Sequence, residues 1–229
     1  MPFDPLAETF GRLATELFDL GGVEETVDAV VQFARQAVRC KHASVVLITH
    51  GRRPEVVALT DPGLADLYQL QIAAGAGPLL TTIEHEEVLL ITDVATETRW
   101  PAQWVEVVTG AGIRSALHVP LMLAGRAQAV LSLYGEQPDS FDDDDVAVAH
   151  ILARHASVAI ASARHEASMA QAVDARKLVG QAMGILMERY DLDSTRAFEV
   201  LKRYSQHNNR KLRDVAQELI NTRRLPHSD

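Results

Sequence analysis

The stretch SQHNNRKLRDVA, residues 205–216, crowds Arg210, Lys211 and Arg213 around two asparagines in a chain that is otherwise acidic. Arg203 stands just before it, and Gln206, Asn208 and Asn209 supply amides within it. A guanidinium is a planar, permanently charged fork that pairs with phosphate and stacks on exposed bases. A carboxamide carries donors and an acceptor and so meets the edge of an unpaired base, which is how loops in RNA are usually read. The set Arg203, Gln206, Asn208, Asn209, Arg210, Lys211 and Arg213 is therefore the candidate RNA-binding site, with Tyr204 and His207 as further stacking groups. Each of these residues also suits a wet turn between two helices: Asn208-Asn209 fits a helix end, Arg213-Asp214 a surface pair, and Tyr204 a core position.

Charge sharpens the choice. The formal net charge of −9 is unevenly spread: residues 1–163 hold 10 Lys and Arg against 22 Asp and Glu, whereas residues 164–229 hold 12 against 9. A polyanion is repelled by the first two-thirds and drawn to the last third, since phosphate neutralisation is the sequence-independent part of nucleic-acid binding.

Other chemistry is poorly supported. A single cysteine, Cys40, excludes an intramolecular disulfide, a thiolate metal cage or a dithiol pair, and is expected in the core. EHEE at 84–87 has one imidazole among carboxylates and no second histidine at metal-ligand spacing, so a solvated loop is expected and no metal. The DDDD run at 142–145 opens a long helix, where carboxylates cap free N–H groups and meet the positive end of the dipole. Trp100 and Trp104 are expected in the core rather than lining a pocket. No glycine-rich phosphate loop, serine elbow or cysteine cluster is present, so no catalytic residues and no enzyme activity are expected.

The elements that must position the candidate site follow from composition and period. With 47% hydrophobic and 23% charged residues, the chain suits one large or two modest globular domains. The N-terminus has no basic segment followed by an apolar stretch, and VAVAHILARHASVAIASA is interrupted by His150, Arg154 and His155. No membrane span and a cytoplasmic location are expected. Apolar spacing predicts helices over 5–20 and 23–39, and β-branched runs predict a hairpin over 43–50 and 55–60. Helices are expected around 62–74 and 78–85, a strand at 87–94, a helix around 102–112, and a second hairpin over 115–123 and 127–136 with Gly125 in its turn. This is an α+β layout, an antiparallel sheet covered by helices.

The element order, the hairpin IRSALHVPLMLAGRAQAVLSLYG and the segment FDDDDVAVAHILARHASVAIASA resemble the GAF domain, a small-molecule sensor module, over roughly residues 5–163, which sets a GAF-like sensor domain at 1–163. The resemblance implies an unidentified small-molecule effector in the GAF pocket, and no cofactor is identified. It argues against the cyclic-nucleotide class, because no asparagine precedes Asn208 and only Lys41 precedes Lys177. Bilin attachment and the thiol-based reductases of the family need cysteines that Cys40 does not supply.

After Phe141 no proline occurs before Pro226 and no glycine before Gly180, so one helix is expected from about 141 to 190. Alternating steps of four and three from Ile151 give His155, Val158, Ser162, His165, Met169 and Ala172, a mixed seam that suits a parallel coiled coil. The segment 141–175 is thus an expected connecting helix, overlapping the domains on either side, and a homodimer is expected.

In the tail, 177–190 has Leu178, Val179, Ala182, Ile185 and Leu186 on one face, with Gly180 and Gly184 placed for a close helix approach. The next helix, 193–208, is expected to bury Ala197, Phe198, Leu201 and Ser205, and the last to bury Leu212, Val215, Ala216, Leu219 and Ile220. Residues 165–229 are thus read as an all-α three-helix bundle. VGQAMGILMERYDLDSTRAFEVLKRYSQHNNRKLRDVAQELI closely resembles the ANTAR domain, the RNA-binding output module of bacterial transcription antitermination regulators, and departs from it at Met183, where many members have lysine. The resemblance implies binding to stem-loops in leader RNA. The alternative is a DNA-binding helix-turn-helix regulator with the same sensor, its last helix in a major groove; an interaction module with an incidental basic tail is the third reading.

Overall fold

The computed structural model describes residues 22–49 and 53–224, so the helix expected over 5–20 lies outside the described residues. These divide into two compact units, one ending at Arg164 and one beginning at His165.

The first unit runs α1 (Val23–Ala37), β1 (His42–Thr49), β2 (Arg53–Leu59), α2 (Leu64–Ala74), α3 (Pro78–His85), β3 (Leu89–Ile91), α4 (Ala102–Gly110), β4 (Ser115–Leu123), β5 (Arg126–Gly135) and the first part of α5 (Asp143–Tyr190). The strands form one sheet in the order β2-β1-β5-β4-β3, antiparallel at every pairing. Leu117, Val119, Leu121, Leu131 and Leu133 pack with Val27, Val31 and Ala34 of α1 and Leu152, Ala156 and Ile160 of α5. Val46, Ala116, Val130 and Tyr134 pack with Leu64, Leu67 and Tyr68 of α2, Leu79 of α3 and Trp104 and Val108 of α4. With both faces covered, β4 reads as a nearly continuous apolar run instead of alternating.

Several expectations are corrected. β3 is shorter than 87–94, because Asp93 turns the chain into a 3-10 turn by accepting the Ala95 N–H at 3.0 Å and gripping the Arg114 guanidinium at 3.0 Å. EHEE is not wholly a solvated loop: Glu84 and His85 end α3, and Glu86, at φ 57°, accepts the N–H of Ala127 at 3.0 Å. The charged interruptions in α5 do not keep that helix from being long and apolar enough, by composition, to cross a bilayer. Its buried face of Ala149, Leu152, Ala153, Ala156 and Ile160 covers the sheet instead. A side chain at Gly180 or Gly184 would meet nothing within 4 Å, so no neighbouring helix approaches closely there among the described residues.

At the start of α5, Asp142 accepts the Asp145 N–H at 2.9 Å and Asp145 accepts the Asp142 N–H at 3.2 Å, a reciprocal cap at the positive end of the helix.

The second unit is built from the end of α5, α6 (Ser194–His207) and α7 (Leu212–Thr222). Its core is Ala182, Leu186, Ala197, Leu201, Val215, Ala216 and Leu219, with Met183, Val200 and Tyr204 half-buried against it. Phe198 is 38% exposed and Ser205 is half-buried, contrary to expectation. At about 100° per residue, each sits one step past a core-facing residue, Ala197 or Tyr204, and is swung off the face that these share with Leu201.

Candidate nucleic-acid interface

Local chemistry builds the corner between α6 and α7. Asp193 caps α6 by accepting the Arg196 N–H at 2.8 Å. At its other end the Arg210 N–H reaches the Ser205 carbonyl at 2.9 Å and the Asn209 N–H reaches that of Gln206 at 3.3 Å. This is a Schellman closure around Asn209 at φ 49°, a left-handed conformation that asparagine tolerates better than most side chains. The Ser205 hydroxyl also donates to the Arg210 carbonyl at 2.6 Å. Lys211 precedes α7, its carbonyl accepting the Asp214 and Val215 N–H groups.

These bonds place every candidate residue. Arg203 and Gln206 are exposed on the last two turns of α6, and Asn208 is half-buried at its C-cap. Asn209 and Arg210 are exposed in the turn, Lys211 is exposed at the start of α7, and Arg213 is exposed in its first turn. The amides are not equally free. Asn208 Nδ2 donates to the Tyr204 carbonyl at 3.0 Å, whereas Gln206 makes no side-chain hydrogen bond among the described residues.

The cations also divide. Arg210 pairs with Glu218 at 2.5 Å, Arg213 with Asp214 at 3.2 Å and Lys202 with Glu199 at 3.5 Å. Arg203 and Lys211 form no ion pair among the described residues. Exposed pairs of this kind contribute about 0.2–1 kcal/mol, little enough for a phosphate to displace the carboxylate.

Two grooves flank this corner. One, of about 240 Å³, is lined by Arg203, Tyr204, His207 and Asn208. The other, of about 260 Å³, lies between Gln171, Asp174, Ala175 and Leu178 of α5 and Arg213, Asp214 and Gln217 of α7, and its two carboxylates oppose a phosphate. The spacing of 203 with 207 and of 204 with 208 is the sequence signal for the first groove. What it could not show is that Tyr204 packs half-buried against the core while one side stays open.

The sensor unit holds a polar row that sequence reasoning missed. Ser44, Ser132 and His118 sit opposite one another on β1, β5 and β4. His118 Nδ1 and Ser132 Oγ are 2.8 Å apart, the Tyr68 and Tyr134 hydroxyls are 2.6 Å apart, and Ser44 hydrogen-bonds Tyr68. Burial pushes the His118 imidazole down to about 3, so it is neutral, and pushes both phenols up. His118 Nε2, Ser115 Oγ, Thr82 Oγ1 and Trp104 Nε1 are buried without a hydrogen-bond partner among the described residues. The Trp100 and Trp104 rings are buried and stack edge to face at 5.3 Å. Burial raises the Cys40 thiol to about 11, which leaves it protonated at neutral pH. No His, Cys, Asp and Glu cluster with metal-binding geometry occurs among the described residues.

Comparison with known proteins agrees with this division. The GAF domain pattern matches residues 22–161 and the ANTAR domain pattern residues 167–220. Among solved structures, a domain of a putative two-component sensor histidine kinase protein from Sinorhizobium meliloti 1021 is 23% identical, with TM-score 0.54 over 66% of this chain and 99% of its own. The GAF domain of an Acinetobacter phosphoenolpyruvate-protein phosphotransferase is 17% identical, with TM-score 0.53 over 69% and 94%. Free methionine-R-sulfoxide reductase from Neisseria meningitidis is 16% identical, with TM-score 0.56 over 72% and 95%. These likenesses speak for the fold alone. No curated protein matches the chain. The chain belongs to the GAF domain family and carries an ANTAR domain after its sensor, the arrangement of a GAF-ANTAR regulator.

Proposed function

We propose that the chain is an RNA-binding transcription antitermination regulator, in which a GAF sensor (1–163) controls an ANTAR output (165–229) that binds stem-loops in leader RNA. The observation that carries this reading is the ANTAR match over residues that also present Arg203, Gln206, Asn208, Asn209, Arg210, Lys211 and Arg213 at one helix corner. ANTAR domains bind RNA and GAF domains bind small molecules, which supports a structured RNA and an unidentified small-molecule effector as partners. Both domains are regulatory, and the protein acts in the cytoplasm as a regulator rather than as an enzyme.

Segment 141–175 joins the two domains and pairs with its copy in a homodimer. Support comes from α5, where Ile151 and Val158 in the first unit, and Met169 in the second, stand exposed at positions of that seam. An effector that favours one pairing or exposure of the tail over another shifts the population competent for RNA.

The test is to crosslink RNA to the protein in its own cell and sequence what is recovered. The reading expects short leader segments able to fold as hairpins. Recovery of bulk RNA without common structure, or enrichment of duplex DNA instead, contradicts it.

A further inference from the structure

Resting on the RNA-binding reading, we propose that the groove of Arg203, Tyr204, His207 and Asn208 seats one extruded, unpaired base of the bound loop, with the Arg203 guanidinium on a phosphate beside it.

Chemistry and geometry agree on this occupant. The groove combines an aromatic ring, an imidazole, a carboxamide and a guanidinium within two turns of α6. Those are the groups that stack on a base, meet its edge and neutralise its phosphate. Its volume of about 240 Å³ falls below the ~300–1,000 Å³ of pockets that bury a drug-sized ligand, so a single base presented on a strand suits it better than a free effector.

The groups are also held ready. Tyr204 is anchored by its packing against the core of the second unit, so its ring loses little freedom on stacking. Asn208 is oriented by the bond from Nδ2 to the Tyr204 carbonyl, which leaves Oδ1 and the second amide N–H for a base edge with a neighbouring donor and acceptor. Among the described residues Arg203 has no carboxylate to leave, unlike Arg210 and Arg213. The neighbouring groove with Asp174 and Asp214 lacks an aromatic ring and carries the wrong charge.

The experiment uses the full chain and a hairpin selected for binding to it from a library with a randomised loop. Affinity is measured for this hairpin and for versions carrying an abasic nucleotide at each loop position in turn, with the wild type, His207→Ala and Lys202→Gln. One position is expected at which loss of the base weakens wild-type binding roughly ten- to hundredfold. In His207→Ala the penalty at that position shrinks severalfold while the other positions keep theirs, and Lys202→Gln leaves the pattern intact. His207 is exposed, and unchanged helical content in its variant excludes misfolding. If the wild type selects a hairpin but His207→Ala weakens every abasic version by the same factor, the groove seats no base and the RNA reading stands. If no hairpin is selected, both fall.

Discussion

The Arg210 guanidinium lies 2.5 Å from the carboxylate of Glu218, so the turn after α6 is tied to the second turn of α7 by a pair that remains open to solvent. The same contact holds a central cation of the candidate site in place and keeps a negative charge beside it. Removing either partner separates the two roles. Glu218→Gln is expected to change stability by less than ~1 kcal/mol and to raise hairpin affinity. Arg210→Gln is expected to lower affinity severalfold and to reduce the salt slope of binding by about one. Titrations at several salt concentrations check both; equal loss in the two variants would mean that the pair matters only structurally.

The neutral His118 makes the sensor domain acid-sensitive. Its folded-state value of about 3 lies below the unfolded value of 6.5, so below pH 6.5 the unfolded chain takes up a proton that the folded chain does not. Stability therefore falls as pH drops from about 6 towards 3, by up to ~1.4 kcal/mol per pH unit from this group. Asp93, held low by the Ala95 N–H and the Arg114 guanidinium, adds a loss of the same sign. Tm measured against pH for the wild type and His118→Asn isolates the histidine, and the variant should show the shallower acid limb.

Leu201 is fully buried in the small core of the second unit, whereas Phe198 is 38% exposed. Leu201→Ala should cost ~2–5 kcal/mol, comparable to the whole stability of a unit this small, at ~0.05–0.15 kcal/mol per residue. Phe198→Ala should cost less than half as much. Thermal unfolding followed by helical circular dichroism measures both, and a reversed order would put Phe198 back in the core.

Val158 and Met169 stand 72% and 56% exposed on α5. Their joint replacement by lysine should shift the chain from dimer to monomer in sedimentation equilibrium without lowering Tm at low protein concentration. A dimer that survives the change would place the pairing elsewhere.

Much of the sheet was legible because strands and turns announce themselves locally. β4 runs over Ser115–Leu123 as its apolar pattern indicates, and Gly125, at φ 79°, sits in the hairpin turn that follows. What was not legible depended on partners distant in sequence. β3 ends early because Asp93 meets Arg114, and Glu86, though exposed, accepts the Ala127 N–H from a strand distant in sequence. Phe198 was misread because an apolar residue next to Ala197 looks like core until the helix face is fixed by Leu201 and Tyr204. In the candidate site the residue types were visible. The pairing of Arg210 with Glu218, and the half-burial of Tyr204 that shapes the groove, arise only when the turn brings α6 and α7 together.

The most direct measurement of the central claim is competition for the full chain between a short RNA stem-loop, the same stem with its loop bases replaced, and duplex DNA of equal charge, across a range of salt. The account predicts that the intact stem-loop alone resists competition at high salt, because its loop bases are recognised as well as its phosphates. Equal displacement by all three, with affinities that collapse together as salt rises, would contradict it.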